Sequence, residues 1–579
     1  MQKILKSLLL KNIKLLLPPV FLFFYKKMIK NIKISFKNTD KRRWWDGETV
    51  NSNSYKFKNV FNNFTDKCLA VTINKETRES IQIFANSSKT FFIKNMLKKN
   101  ILFGFGNLSS AHFVSGNIEI FNGDNNILKL SNPTSHKWEN FKIDFSSFAK
   151  DLVIKNNTQE TIYFSAPVLL EEAHANEIQN IIIIFIDQIS NEIFSEIEES
   201  TLMPFMQSFF KNSINFENYY SSSEWTVPSI YSFLNGKYSS SHGMFDFNFT
   251  KNIADPLLDE NIIEFFKKKN YFSLGISRSK GHHVGFNFHK YFDRFYYFPA
   301  TKKTFRDDDF EQKIIEHIEA NSKGKNFIFA HYLSAHTPFY QTTINEEINL
   351  KNNRIGDPLL DFESSVLGTG SSKIEKILKK DKVKNINKRQ IERLRSVDLS
   401  LSKLFNYINT KFKKKTLLML TSDHGMNHIE SKTDNYLNKN RINVPLKIFY
   451  PSINQELKIK TLFSSINIYE LIKRMHIKSF NNSKKNIEKK IKNMFKKNQT
   501  ISESIYENTY KISVRSESIV FDHICYFDFN KKIIYLNKLS KSRITNLLNN
   551  KINDKEVTDL YMKKIIQHLN KSKLLKLET

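Results

Sequence analysis

Cysteine is nearly missing from this chain, with Cys68 and Cys525 the two among 579 residues. Two thiols close at most one bridge, which excludes a disulfide scaffold and a cysteine-built zinc knuckle. Neither has a metal-ligand or redox neighbour in sequence, so both read as buried or incidental thiols. Long apolar runs are lacking too. The most apolar N-terminal stretch, 8–25, is interrupted by Lys11, Lys14 and the pair Pro18-Pro19, whereas a membrane span needs about 20 apolar residues with few charges. It also lacks the small-residue cleavage site of a signal peptide. Its lysines alternate in a helix-like way with Leu8, Leu9, Ile13 and Leu16, so residues 5–30 are expected to form an amphipathic surface helix with peripheral membrane contact. With no export segment, the expected location is cytoplasmic, at the inner membrane face where that helix binds. Acidic residues are in deficit, 58 against 89 Lys and Arg, for a net charge of +31. That excess is mostly lysine, spread along the whole chain among Asn and Ile. No finger, RNP or helix-turn-helix signature accompanies it, so no nucleic-acid partner is expected.

What is present suffices for a core. The sequence is 40% hydrophobic and 13% aromatic, which excludes wholesale disorder. Its length fits three or four domains, or one large α/β unit with an appendage. Residues 1–54 are basic and irregular. From 55 to 172 short β-type runs such as Phe91-Phe92-Ile93 and Ile118-Glu119-Ile120-Phe121 are separated by turn clusters such as Asn122-Gly123-Asp124-Asn125, the rhythm of an antiparallel sandwich. The stretch 138–154 resembles jelly-roll modules of the carbohydrate-binding kind, and its aromatics fit either a core or a glycan site. A polar linker, 171–179, precedes the run Ile-Ile-Ile-Ile-Phe-Ile at 181–186, a strand buried on both faces as in a parallel sheet. Further strands are expected at 327–330, 416–421 and 512–536, helices at 393–408 and 555–573, and exposed insertions at 347–388 and 475–500. The partition is thus 1–54, a sandwich at 55–172, an α/β domain at 178–540, and a helical tail at 541–579.

Four separated pieces carry the chemistry. Asp187-Gln188 ends the isoleucine strand, Trp225-Thr226-Val227-Pro228-Ser229 leads to Gly236 and His242-Gly243, His331 and His336-Thr337-Pro338 follow a strand, and Ser422-Asp423-His424-Gly425 ends another. Ligands in α/β sheets collect at the carboxyl ends of strands. One rim therefore gathers Asp187, Gln188, Asp423 and His424, whose carboxylate, amide and imidazole donors suit a divalent ion such as Ca, Mg, Mn or Zn. Such an ion lowers the pKa of a nearby hydroxyl and neutralises an anionic group. Thr226 supplies the hydroxyl, and Pro228 sets the turn into a helix expected to begin near Ser229.

Taken in order, these pieces resemble the alkaline phosphatase superfamily in its sulfatase-like branch. Tyr291-Phe292-Asp293-Arg294-Phe295 is similar to that family's Gly-Phe-Asp-x-Phe loop, Val444-Pro445-Leu446 to its Val-Pro-Leu segment, and 510–529 to its small C-terminal antiparallel sheet. The resemblance covers about 180–535 and implies a mixed α/β sheet flanked by helices, followed by that small sheet. It makes Asp187, Gln188, Asp423 and His424 metal ligands and Thr226 the nucleophile. His336 binds the anionic group or protonates the leaving oxygen. Lys432 takes the substrate-lysine slot, with a longer spacing to Val444 than the family shows, and His242 is structural.

Departures from the pattern set the expected substrate. Sulfatases carry Cys or Ser in Cys-x-Pro-Ser-Arg, converted to formylglycine, whereas this chain has Thr226 and, at the Arg position, Ile230. A threonine nucleophile resembles the superfamily's phosphodiesterases and phosphoethanolamine and phosphoglycerol transferases, and Asp187-Gln188 resembles the pair in phosphonate monoester hydrolases. The family's Gly-Lys-x-His loop is absent. In its region stand Arg278, Lys280, His282 and His283, basic but out of register, as candidate substrate contacts. The resemblance thus implies a metal-dependent hydrolase or transferase of a phosphoester, a phosphodiester or phosphonate monoester, through covalent Thr226, with a saccharide as one carrier. Two other readings are a glycan sulfatase and a degenerate glycan-binding relative. Residue by residue, simpler roles also fit: His331 and His336 as structural imidazoles, Thr226 as a helix N-cap, Asp423 as a cap.

Overall fold

The computed structural model describes residues 49–52, 55–94, 100–109, 111–144, 151–200, 202–245, 260–282, 287–298, 308–336, 380–426, 437–476, 484–495, 499–506, 508–536, 543–546, 554–572 and 576–578. Residues 5–30, His283 and Lys432 lie outside them, as does most of the 347–388 stretch.

The elements that matter for function are, in chain order, β1 (Glu76–Ile83), β2 (Asn180–Ile186), β3 (Ile214–Phe216), α1 (Thr226–Asn235), β4 (Tyr271–Ser277), β5 (Arg294–Tyr297), α2 (Asp308–Ala320), β6 (Lys325–Tyr332), α3 (Lys380–Tyr407), β7 (Thr416–Thr421), β8 (Leu446–Phe449), β9 (Leu457–Ile459), β10 (Gln499–Tyr506), β11 (Thr509–Ser516), β12 (Ile519–Asp528) and α4 (Asp554–Leu569). The central order is β1-β5-β4-β6-β2-β7-β8-β3-β9. β5, β4, β6, β2 and β7 run parallel, while β8 is antiparallel to both β7 and β3.

The isoleucine run is buried on both faces because each face meets its own helical layer. Ile181, Ile183 and Phe185 pack with Val227, Ile230 and Phe233 of α1. Ile182, Ile184 and Ile186 pack with Ile314 and Ile318 of α2 and Leu394, Val397 and Leu401 of α3. This period-two alternation decides where the polar residues after each strand point. α1 ends at Gly236, whose φ of 68° closes the helix in the left-handed conformation.

The strand-rich N-terminal region is antiparallel, as its rhythm implied. Five strands form one sheet, Phe61–Asn62, Ser87–Ile93, Asp151–Asn156, Asn117–Asn122 and Asn125–Ser131. It covers an aromatic core of Phe57, Phe61, Phe91, Phe103, Phe105 and Phe164. The facing strands, however, are not a separate layer. β1 pairs with β5, Phe295 opposite Thr77 and Tyr296 opposite Glu76, so the facing layer of the sandwich and the central sheet are one continuous 15-stranded sheet among the described residues. Buried Glu76 seals the junction, accepting hydrogen bonds from Arg78 Nε at 2.7 Å, Arg294 Nε at 2.6 Å and Tyr296 Oη at 2.6 Å.

Two further expectations change. The stretch 475–500 is not wholly an exposed insertion, because the helix Lys484–Met494 buries Ile487 and Ile491 in the central core at four-residue spacing. Nor is 541–579 a detached helical tail. Arg543–Asn546 pairs with β12, Lys576–Glu578 pairs with Ile533–Tyr535, and Val557, Tyr561 and Ile565 of α4 cover the C-terminal sheet. Among the described residues no helix is long and apolar enough to cross a membrane.

Candidate active site

The site forms where β2, β6 and β7 end. Extending the alternation of β2 by two residues beyond Phe185 puts Asp187 on the α1 face, and the same step beyond Phe329 puts His331 there. Both are fully buried, and His331 Nε2 lies 3.2 Å from Asp187 Oδ2 and 3.9 Å from Asp423 Oδ2. At Gln188 the chain turns with φ 66°, a left-handed conformation costing a non-glycine residue roughly 1–3 kcal/mol. The turn lets Gln188 N–H donate to Asp423 Oδ1 at 3.2 Å and Ile189 N–H to Ser422 Oγ at 3.0 Å, locking the ends of β2 and β7 together. The Gln188 carbonyl accepts from Gln390 Nε2 of α3 at 2.8 Å, and the same amide reaches Ala335 O at 3.3 Å.

His424 Nδ1 donates to Gly425 O at 2.8 Å, because a carbonyl only accepts, and this directs the other ring nitrogen, Nε2, into the site. That nitrogen faces Asp187 Oδ1 and Asp423 Oδ2, each at 3.5 Å. Gly425 is required here, because a Cβ would stand 2.0 Å from Asn440 O.

Thr226 is the first residue of α1, half-buried, with Oγ1 3.4 Å from Asp187 Oδ2 and 3.5 Å from His424 Nε2. Trp225, not Thr226, holds the N-cap position, so the hydroxyl is not used as a cap. The helix begins at Thr226 rather than near Ser229, which leaves Pro228 inside its first turn, where a missing N–H costs no helical bond. The chain leading into Thr226 is clamped by the C-terminal sheet and by Arg441 of the short helix Lys439–Ile442. Ser502 Oγ donates to Ser221 O at 2.7 Å, Glu503 N–H to Ser222 O at 2.8 Å, and Arg441 Nε to Glu224 O at 2.9 Å.

The donor atoms fit a cation. Asp187, His336 and His424 form one trio with ligand atoms within 4.8 Å of one another, and Asp187, His331 and Asp423 form a second. Asp187 Oδ1 and Asp423 Oδ2 are buried without a hydrogen-bond donor among the described residues. Two buried carboxylates this close need a positive charge or a proton between them. Burial pushes the Asp187 carboxyl up, but the imidazoles of His336, His331 and His424 outweigh it and hold it well below the ordinary range. Even partners outside a metal's ligand shell are worth about 10–100-fold in affinity. Asp423→Ala is therefore expected to weaken divalent-metal binding by at least about tenfold, read by elemental analysis after dialysis.

The structure thus brings Asp187, Asp423, His424, Thr226 and His336 together, with Gln188 at the turn between them. His331, read from sequence as a structural imidazole, joins them, and its signal was the alternation itself. Arg278 does not. It lies one step beyond Ser277 on the opposite face of β4, with its guanidinium over the rings of Phe298 at 5.6 Å and Phe310 at 4.9 Å and 1% exposed. It is a buried packing cation there rather than a lining of the site. His282 is on the site's face, its Nδ1 2.9 Å from Ser277 Oγ and its ring 5.0 Å from that of His331. Being fully buried, it backs His331, and burial lowers its basicity further than any other influence. Lys280 belongs to the short 3-10 turn Lys280–His282. His242 is held between Ser232 Oγ at 2.9 Å and the Met244 N–H at 3.1 Å, a structural role.

The family model for Sulfatase matches residues 179–477, just over half the chain and the whole of this rim. The chain belongs to the sulfatase family. It is a sulfatase-like member of the alkaline phosphatase superfamily, with the mixed sheet and small C-terminal sheet of that fold. Solved structures similar to this sulfatase-family chain include a protein in complex with its substrate D-glucosamine-2-N,6-O-disulfate, at 13% identity and a TM-score of 0.48, covering 68% of this chain and 97% of the other. A phosphonate monoester hydrolase from Silicibacter pomeroyi matches at 13% identity and TM-score 0.48, covering 68% and 96%. The C-terminal periplasmic domain of EptC from Escherichia coli matches at 13% and 0.38, covering 53% and 84%. A comparison with curated proteins finds no match.

Proposed function

We propose that this sulfatase-family protein is a divalent-metal-dependent phosphoester hydrolase or transferase that works through covalent Thr226. The observation carrying this reading is the Thr226 hydroxyl at the start of α1, 3.4 Å from Asp187 and 3.5 Å from His424. A threonine cannot become the formylglycine of ordinary sulfatases, but its hydroxyl can attack phosphorus directly. Asp187, Asp423 and His424, with Gln188 as the resemblance implies and His331 added by the geometry, are the residues that would hold the ion. Their mix of carboxylate and imidazole suits a transition-type ion such as Zn or Mn better than Ca. Bound there, such an ion lowers the pKa of a neighbouring hydroxyl and offsets the charge of the ester.

In the reading's first step Thr226 Oγ1 forms a bond to phosphorus while the bond from phosphorus to the leaving oxygen breaks. The Thr226 proton is given up to water at the half-open mouth as the new bond forms, and His336, half-buried there, protonates the leaving oxygen. The first-turn N–H groups of α1 face the equatorial oxygens. In the second step water or an acceptor hydroxyl attacks the phospho-threonine, which restores the side chain and separates hydrolase from transferase.

Parallel assays with an aryl phosphodiester, an aryl phosphonate monoester and an aryl sulfate test this. Turnover of a phosphorus ester at least about a hundredfold above that of the sulfate is expected. Faster sulfate cleavage would overturn the phosphoester assignment, and no turnover of any would favour a non-catalytic relative.

A further inference from the structure

The apolar stripe of α3 contains one residue of the wrong chemistry for its place. Leu394, Val397, Leu401 and Phe405 pack on the face of β2 that carries Ile182, Ile184 and Ile186. One turn before Leu394 the same stripe reaches Gln390, which is 0% exposed. Leucine is the ordinary occupant of such a position, and a buried amide is costly unless it is hydrogen-bonded. Gln390 directs Nε2 to two main-chain carbonyls, Gln188 O at 2.8 Å and Ala335 O at 3.3 Å. The reverse orientation would set Oε1 against two acceptors, so the direction of the amide is fixed.

Both carbonyls belong to peptide units of the site. The 188–189 unit donates its N–H to Ser422 Oγ at 3.0 Å, and the 335–336 unit donates its N–H to Leu333 O at 3.0 Å. Each unit is thus held at its N–H by its own surroundings and at its C=O by Gln390. The first follows Asp187, and the second delivers His336. The β2–β6 ladder closes with Asp187 N–H to Tyr332 O at 2.9 Å, and Gln390 rejoins the two chains beyond it.

We infer that Gln390 is a positioning residue, holding His336 against the Asp187–Gln188 turn so that its imidazole meets the leaving oxygen. This rests on the proposed role of His336 as the acid. Protonation matters most for an alkoxide, a poor leaving group, and little for a nitrophenolate, which departs unprotonated. The test compares kcat/KM for an alkyl and a nitrophenyl phosphodiester with excess Mn present. Gln390→Met keeps the length of the side chain and removes the donor, while Gln390→Glu keeps its shape and, ionised, turns an acceptor toward the same carbonyls. Either should cost the alkyl ester at least about tenfold more than the nitrophenyl ester, since misplacing a group by about 1 Å costs up to about a hundredfold. Added to His336→Ala, Gln390→Met should deepen that selective loss by no more than about twofold. Leu399→Ala, on the exposed side of the same helix, should leave the selectivity as in wild type. Equal loss for both esters, or a selective loss that multiplies with that of His336→Ala, overturns the inference. A second readout needs no turnover: carbethoxylation of His336 by diethyl pyrocarbonate, located by mass spectrometry, should be at least about threefold faster in both variants, because the loop opens more readily. If His336→Ala shows no selective loss, the proposed acid role fails and the labelling rate alone decides whether Gln390 sets His336. A faster rate upholds that placement, and an unchanged rate overturns it.

Discussion

Thr226→Ala is expected to keep the fold and the bound metal while losing at least about a thousandfold in turnover, as removal of a covalent catalyst does. The side chain caps nothing, since Trp225 is the N-cap, and it is only half-buried, so its loss should leave α1 in place. Thr226→Ser keeps the hydroxyl beside Asp187 and His424 and should retain part of the activity. Thr226→Cys, produced with a formylglycine-generating enzyme, should not yield an efficient sulfatase, because Ile230 replaces the arginine of the recognised motif. Intact mass after reaction with a slow phosphodiester should show a phosphoryl adduct that is absent from Thr226→Ala. Full activity in Thr226→Ala would transfer the attacking role to water.

The second large effect is on stability. Glu76→Ala removes the carboxylate shared by Arg78, Arg294 and Tyr296 and leaves two buried guanidinium groups without their counter-charge. Breaking a buried pair in this way costs about 3–5 kcal/mol, which should lower the urea midpoint of unfolding and expose the sandwich to proteolysis first. Burial alone would raise the Glu76 carboxyl, but Arg294 and Arg78 overcome it and hold it well below the ordinary value of 4.5. A group with a depressed folded-state pKa contributes its stability above the unfolded value and loses it as pH falls. The difference between wild type and Glu76→Ala should therefore be full above about pH 5 and shrink in acid, as measured by denaturant titration across pH.

Much of the site was legible because it lies at strand ends. The isoleucine run could only be a strand buried twice, and Asp187 ends it. Ser422-Asp423-His424-Gly425 follows another apolar run in the same way. His331 was within reach of the same logic, since Phe327 and Phe329 precede it at two-residue spacing. Alternation also removes Arg278 from the site, one residue past Ser277. What local sequence does not encode is pairing between distant segments. Tyr296 meets Glu76 across 220 positions, and nothing in the rhythm of 55–172 announces that one of its strands continues another sheet. Gln390, which ties two strand ends from within a long helix, had no motif to mark it.

That continuity changes what a division of this chain would do. Cutting after the sandwich, at about residue 172, would not release a finished catalytic unit. It would uncover β5 along its length, with the backbone groups that face Glu76 and Thr77 left open and Arg294 stripped of its carboxylate. An open, aromatic strand such as Arg-Phe-Tyr-Tyr is a template for pairing with a second copy. The N-terminal sandwich thus acts as an edge protector for the catalytic sheet, keeping it from recruiting strands other than its own.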